Sequence, residues 1–223
     1  MNKEAYQKKI ASIQSQLNPD THLLIVSKTR SEDEIKTYYE LGHRDFGENR
    51  VQELLEKAEH LKNSCPEIRW HMIGHLQTNK VNQLFSVPNL WAIHSVDREE
   101  LLEKILKAQD KLSGSLNIFL QFNTSKEEEK SGFADYASLK HAAQLIGKKS
   151  QIKLHGLMTM GTLRTENFEG EARRCFKELE QLRQKLSKEL KLPLENSMGM
   201  SQDYKIALEE NAHWIRIGTM MFS

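Results

Sequence analysis

Short apolar runs alternate with longer amphipathic stretches along the chain, and this alternation restricts the possible folds more than any other feature. We predict strands at 22–26, 44–46, 68–73, 90–94, 116–122, 152–157, 193–195 and 213–217. We predict helices at 31–41, 49–62, 78–85, 98–111, 136–147, 168–190 and 202–211, with an extra helix at 1–16 before the first strand. Strict alternation of strands and helices favours a parallel sheet, because parallel neighbours need a crossover connection.

The number of strand–helix units selects one architecture. Eight units in 223 residues predict an α/β fold, a single (β/α)8 barrel of the TIM type that occupies residues 1–223 as one domain. An open, doubly wound sheet is the alternative that the pattern leaves. The long helix predicted at 168–190 has apolar residues at spacings of three and four, as expected of an outer helix packed on a barrel.

Composition and charge exclude several classes of function. With 32 basic and 31 acidic residues the formal net charge is +1, which argues against a general nucleic-acid binder. No apolar run approaches the roughly 18 residues that span a bilayer, and residues 1–16 lack an apolar signal-peptide core. The two cysteines, Cys65 and Cys175, suggest neither a metal pair nor a disulfide framework. We therefore expect a cytoplasmic protein that binds neither nucleic acid nor membranes.

Polar residues and glycines are concentrated directly after the predicted strands, where barrel enzymes bind their ligands. Lys28 follows the first apolar strand, so we expect its amine to point into the barrel mouth. Partial burial there would lower the pKa of the amine, and a neutral amine can form a Schiff base with an aldehyde. A rim lysine with its amine in water is the alternative.

The last two units of the chain suggest a phosphate site. Ser201 is a good N-cap for the helix predicted at 202–211, and Gly218 and Thr219 follow the final strand. Helix N-termini expose unpaired N–H groups that suit anions, and barrels often bind phosphate with the loops after strands seven and eight. Ordinary caps and turns are the alternative.

Three further polar residues are weaker candidates. His71 and His75 are predicted on one face of a strand, four residues apart, but no third ligand is apparent, so we expect no metal site. For Glu48 a capping or structural role is favoured over one as a catalytic acid or base.

Several segments, in order along nearly the whole chain, resemble the pyridoxal phosphate homeostasis family. They lie at 26–29, 46–49, 70–80, 130–132, 155–160, 197–201 and 216–219. The resemblance implies a single-domain barrel of the alanine racemase N-terminal type, a fold type III protein that binds pyridoxal 5′-phosphate (PLP). The acidic loop at 124–129 and the final Phe222-Ser223 depart from the usual family pattern.

The resemblance also implies which residues contact PLP. They are Lys28, Asn49, His75, Met158, Ser201, Arg216, Gly218 and Thr219. Lys28 would carry the cofactor covalently as an internal aldimine, and Arg216 would approach the pyridine nitrogen. The residues of the phosphate site described above would hold the phosphate group, while Asn49, His75 and Met158 would line the ring pocket.

Three functions are compatible with these residues. We expect a non-catalytic protein of intracellular PLP homeostasis, which stores or delivers the cofactor. A fold type III amino-acid racemase or decarboxylase is the alternative, and a phosphosugar enzyme with Lys28 as its Schiff-base lysine is a third possibility. Beyond PLP itself, we expect transient contact with PLP-dependent apoenzymes and a monomeric state.

The charge of Arg216 favours the first of these functions. A permanent guanidinium charge beside the ring disfavours protonation of the pyridine nitrogen, and an unprotonated ring is a poorer electron sink. Racemisation would then need two bases, one on each face of the ring. The five tyrosines fall on predicted helices rather than at a strand end, so a second base is not apparent.

Overall fold

Eight parallel strands close into a barrel in a computed structural model that describes residues 2–127, 130–146, 151–161 and 165–223. The strands are β1 (His22–Val26), β2 (Asp45–Glu48), β3 (Arg69–Met72), β4 (Leu90–Val96), β5 (Leu116–Gln121), β6 (Ile152–Met158), β7 (Glu195–Met200) and β8 (Trp214–Ile217). Each strand pairs with the next in chain order, and β8 pairs with β1. The predicted barrel is therefore confirmed, and the open sheet is wrong.

Helices surround this barrel. They are α1 (Lys3–Gln14), α2 (Glu32–Glu40), α3 (Val51–Leu61), α4 (Val81–Leu84), α5 (Glu99–Lys107), α6 (Tyr136–Leu145), α7 (Phe168–Leu190), α8 (Tyr204–Glu209) and α9 (Thr219–Phe222). The predicted extra helix before β1 is present as α1. In the described ranges, no helix combines the length and the apolar character needed to cross a bilayer.

Some predicted boundaries are wrong. The seventh strand is Glu195–Met200 rather than 193–195, because its buried polar side chains Asn196 and Ser197 hide the strand from a search for apolar runs. The helix predicted at 202–211 begins only at Tyr204. The predicted helix ends at residues 1 and 147 lie outside the described residues.

Local sequence signals set several helix starts. Ser31 and Glu34 form a reciprocal capping box at the start of α2, and Asp135 and Asn167 cap α6 and α7 by accepting main-chain N–H groups. At the other end of α7, Lys191 is in the left-handed conformation that commonly ends a helix. The caps at Ser31, Asp135 and Asn167 satisfy N–H groups that the first turn of a helix leaves unpaired.

Apolar side chains fill two layers, one between the strands and the outer helices and one inside the barrel. The inner layer consists of Leu24, Ala92, Phe119, Met158 and Trp214. In the outer layer, the stripe predicted for α7 is largely buried, as the full burial of Phe176 and Leu179 shows. The barrel is thus a packed core, and ligands are restricted to its ends.

The α1 helix anchors the end of the chain beside the carboxyl end of the barrel. The Tyr6 ring packs edge-on against the rings of Tyr38 in α2 and Phe222 in α9, with centroid distances of 4.9 Å and 6.4 Å. The Tyr38 hydroxyl donates a hydrogen bond of 2.5 Å to the carbonyl of Met221. These contacts hold α9, and with it Thr219, in place.

Gly199 allows α8 to pack closely against β7. Its φ is +89°, and an added Cβ would lie 2.6 Å from the Cβ of Ala207 in α8. We expect Gly199→Ala to lower the free energy of unfolding by about 2 kcal/mol in urea titrations, through overpacking and backbone strain. Gly114→Ala is the control, since a Cβ there meets no atom within 4 Å. Equal losses in the two variants would contradict this account.

Candidate ligand-binding site

A pocket of about 480 Å³ lies at the carboxyl ends of β1, β7 and β8. Its lining residues come from those strand ends and the turns that follow them: Val26, Lys28, Thr29, Arg30, Met200, Ser201, Gln202, Asp203, Arg216, Gly218 and Thr219. The pocket therefore brings together the predicted aldehyde-binding lysine, the predicted phosphate residues and the arginine predicted to approach the ring nitrogen.

Lys28 projects from the turn after β1 with its side chain exposed. Its amine forms no hydrogen bond or ion pair with the residues that the structure describes. The exposed side chain matches the alternative of a rim lysine rather than partial burial of the amine. The amine is accessible at the pocket and is not held by another side chain.

The backbone before Lys28 is held by a buried ammonium group. Nζ of Lys57 in α3 donates to the carbonyl of Ser27 at 2.8 Å, to Oε1 of Glu48 at 2.8 Å and to Oε1 of Glu53 at 2.7 Å. All three ammonium protons therefore have acceptors. The Ser27 hydroxyl also donates to Glu48, at 2.6 Å. The carboxylate of Glu48 thus has a structural role, as the sequence favoured.

The backbone after Lys28 is held by the same group of charges. The N–H of Thr29 donates to Oε1 of Glu53 at 2.7 Å. Thr29 has a φ of +62°, an unfavourable conformation for a β-branched residue. Strain of this kind persists where the surroundings enforce it, commonly at functional sites. The residues on both sides of Lys28 are therefore fixed, although its side chain is not.

Breaking this network should be costly. We expect Lys57→Met to lower the free energy of unfolding by about 3 kcal/mol, because it leaves the buried Glu48 carboxylate without its cation. Burial already raises the pKa of Glu48, and loss of the ammonium would raise it further above the unfolded-state value. Protonation then favours the folded state, so the loss should be larger at pH 8 than at pH 5 in urea titrations.

Lys62→Met is the matched control for this change. Lys62 follows the end of α3 and pairs with Glu59 at 2.6 Å, but its side chain is 49% exposed. Exposed pairs contribute little, so we expect a change within about 0.5 kcal/mol. A similarly small loss in Lys57→Met would show that the buried network does not hold the turn.

Arg216 lies in the pocket wall, almost completely buried. Its Nη1 donates to Oγ of Ser197 at 2.7 Å, and its Nη2 donates to the carbonyl of Thr159 at 2.9 Å. Burial lowers the pKa of Arg216 to about 10, with Asp203 opposing this shift, so the group stays protonated at neutral pH. Within the described residues it has no carboxylate within 4.0 Å, so its charge remains available to a ligand.

The predicted phosphate residues lie in the pocket, but Ser201 does not cap a helix. Asp203, not Ser201, is the N-cap residue of α8, and its Oδ1 accepts the N–H of Met200 at 2.6 Å. The predicted capping role of Ser201 is therefore wrong, because the strand and the turn after it both continue further than expected. Ser201, Gly218 and Thr219 nevertheless line the pocket together, and Thr219 begins α9.

The residues predicted to line the ring pocket are not part of this pocket. Asn49 and His75 line a neighbouring pocket of about 260 Å³, where Nδ1 of His75 lies 3.0 Å from Oδ2 of Asp97. Met158 is buried inside the barrel beside Trp214. Their contact with a ring stays a prediction.

The predicted shared face of His71 and His75 is wrong. His71 is buried within β3, whereas His75 lies beyond the end of that strand and is exposed. No group of three His, Cys, Asp or Glu side chains suited to a metal ion occurs among the described residues.

Two charged residues of the pocket were missed by the sequence analysis. Asp203 has a buried Oδ2 with no hydrogen-bond partner, and burial raises its pKa. Arg30 lies over the Phe222 ring, 5.0 Å from its centroid. Both residues are two positions beyond a predicted site residue, Ser201 or Lys28, so a wider reading of those turns would have found them.

Comparisons with known proteins agree with this fold. A family model described as alanine racemase, N-terminal domain, matches residues 1–223, which defines the class of barrel. The human pyridoxal phosphate homeostasis protein is 39% identical over 207 residues, which are 90% of this chain and 75% of that protein. The chain belongs to the pyridoxal phosphate homeostasis family, as its motifs predicted.

Solved structures show the same architecture. PipY of Synechococcus elongatus PCC7942, in a structure with PLP bound, is 33% identical with a TM-score of 0.85, and the match covers 98% of this chain and 100% of that chain. The alanine racemase from E. faecalis has a TM-score of 0.73 at 18% identity, covering 100% of this chain and 58% of that chain. This second likeness concerns the fold alone.

Proposed function

We propose that residues 1–223 act as one PLP-binding domain that stores or delivers PLP in the cytoplasm, without catalytic turnover. The observation that carries this proposal is the position of an accessible amine, Lys28, and a buried guanidinium, Arg216, in one pocket. The PLP-bound structure of PipY and the name of the human relative support it.

The donors in the pocket fit the chemical groups of PLP. The Lys28 amine would form a carbon–nitrogen double bond with the aldehyde, releasing water. The hydroxyls of Ser201 and Thr219, with the main chain at Gly218 beside them, suit a phosphate dianion. Arg216 has further N–H donors for an unprotonated pyridine nitrogen, because two of its five N–H groups are used by the residues that the structure describes.

The same residues argue against catalysis. Bound PLP supplies a ring that withdraws electrons from an attached amino acid, most strongly when its nitrogen is protonated. Arg216, still charged at neutral pH, disfavours that protonation. The five tyrosines, potential second bases, all lie in helices, and none lines the pocket: Tyr6, Tyr38, Tyr39, Tyr136 and Tyr204. A racemase or decarboxylase remains the alternative that the experiments below test.

Transfer of PLP to apoenzymes by a monomer is the mode of delivery we propose. An exposed amine at an open rim supports exchange with the surroundings. Among the described residues, four large apolar side chains are exposed, each by 37–40%: Leu145, Met160, Leu192 and Met220. So few exposed apolar side chains do not call for a permanent partner.

Lys28→Ala should abolish covalent attachment of PLP. Borohydride reduction followed by peptide mass spectrometry should label Lys28 in the wild type and no residue in the variant. The double variant of Ser201→Ala and Thr219→Ala is the control. It should keep the labelled lysine while binding PLP more weakly, by about one to two decades for each charge-assisted hydrogen bond that is removed. Labelling of Lys80 or Lys130 instead would refute the assignment.

Arg216 decides between carrier and catalyst. We expect the wild type to show no amino-acid racemisation or decarboxylation approaching about 1 per second. Arg216→Glu should shift the absorbance of bound PLP, because a carboxylate favours a protonated ring nitrogen. Arg216→Lys keeps the charge and should retain the wild-type spectrum, with circular dichroism to verify folding. Enzyme-like turnover by the wild type would overturn the carrier function.

A further inference from the structure

A continuous file of hydrogen-bonded polar side chains crosses the interior of the barrel. Nη1 of Arg216 lies 2.7 Å from Oγ of Ser197, which lies 2.9 Å from Nδ1 of His94. Nε2 of His94 lies 3.0 Å from Nδ1 of His71, and Nε2 of His71 lies 3.1 Å from Oδ1 of Asp45. We call these five residues the polar file.

The polar file connects the two ends of the barrel. Asp45 is the first residue of β2, where its other oxygen binds the guanidinium of Arg69, and Arg216 lies at the pocket. Every member of the file is at most 6% exposed. Barrel interiors are usually filled by branched apolar residues, because buried polar groups must all find partners. A fully paired polar file in this place therefore points to a role besides packing.

The charges at the two ends determine the direction of every hydrogen bond. Burial disfavours ionisation of Asp45, but hydrogen bonds from His71 and Arg69 outweigh it and lower the pKa of Asp45 to about 2. Burial lowers the pKa of His71 and lowers that of His94 strongly, so both rings are neutral. Nε2 of His71 must then donate to Asp45, which leaves Nδ1 of His71 as an acceptor.

The same rule continues to the pocket. Nε2 of His94 donates to His71, so Nδ1 of His94 carries no proton and accepts a hydrogen bond from the Ser197 hydroxyl. The oxygen of Ser197 is left to accept from Arg216, which can only donate. With Asp45 and Arg216 charged and both rings neutral, this is the one arrangement in which each hydrogen bond of the polar file joins a donor to an acceptor.

We propose that Asp45, His71 and His94 are positioning residues for Arg216. They orient the Ser197 hydroxyl as an acceptor, and this fixes the direction in which the guanidinium presents its remaining N–H groups to the pocket. A neutral hydroxyl orients Arg216 without neutralising it, whereas a carboxylate in the same place would compensate the charge. The opposite tautomer of His94 would place an N–H against Ser197 in competition with Arg216. The consequence for PLP rests on the proposed function.

Asp45→Asn tests the polar file from the end far from the pocket. An amide can donate as well as accept, so it no longer dictates the tautomer of His71, as happens when asparagine replaces the aspartate behind a catalytic histidine. In ligand-free protein, ¹⁵N NMR should show Nε2–H tautomers for His71 and His94 in the wild type, and a mixed or reversed pattern in the variant. PLP should dissociate about tenfold faster, with a shifted absorbance.

His43→Gln is the matched control. His43 is also buried and bonds the main-chain carbonyl of Asp45 at 2.8 Å, but it lies outside the polar file. It should destabilise the fold while leaving the tautomers and the PLP dissociation rate as in the wild type. If Asp45→Asn behaves in the same way, the polar file only supports folding and the proposal is wrong.

Ser197→Ala gives a second test that removes a single oxygen atom. It leaves Arg216 with the Thr159 carbonyl alone, so PLP dissociation should again be faster, by about tenfold. This variant decides the matter if Asp45→Asn does not fold, and an unchanged dissociation rate in Ser197→Ala overturns the proposal. Failure of the wild type to bind PLP would instead refute the proposed function. Wild-type tautomers in folded Asp45→Asn would refute only the positioning role proposed for the polar file.

Discussion

The pairing of β1 with β8 is the interaction on which the rest of the structure depends. It aligns Leu24 with Arg216 and Ile25 with Ile217, so the turn that carries Lys28 lies beside the turn that carries Gly218. Residues from opposite ends of the chain thereby line one pocket. Without closure, the amine and the guanidinium would lie on separate edges of an open sheet.

Two buried polar systems support Lys28 and Arg216, two of the cations of the pocket. The network around Lys57 fixes the backbone on both sides of Lys28, and the polar file reaches Arg216 through Ser197. Both replace apolar packing with groups that must be paired, which is costly inside a barrel. Proteins commonly depart from the rules of stable packing where function requires it. The two departures coincide here with the two residues expected to contact the aldehyde and the ring.

The sequence was sufficient for the architecture and for much of the pocket, because strand alternation and strand-end residues are local signals. It located Lys28 and Thr219 correctly at the pocket, but it ended the seventh strand too early. Ser197 faces a polar interior, so its strand does not look apolar. The polar file was also invisible, since His94 of β4 and Ser197 of β7 meet only across the closed barrel. Exposure of Lys28 depends on long-range packing and could not be predicted from a single position.

The contrast between a rigid turn and an unrestrained side chain at Lys28 has a consequence for the lifetime of a bound ligand. A ligand held by its phosphate would remain within reach of the Lys28 amine, because Glu53 and Lys57 fix the backbone on both sides of Lys28. The local concentration of the amine is then high, as for any tethered reactant. The covalent bond proposed at Lys28 would then break and re-form many times before the ligand departs. Residence time would therefore depend on the contacts proposed for the phosphate and for Arg216 as well as on the chemistry of the lysine.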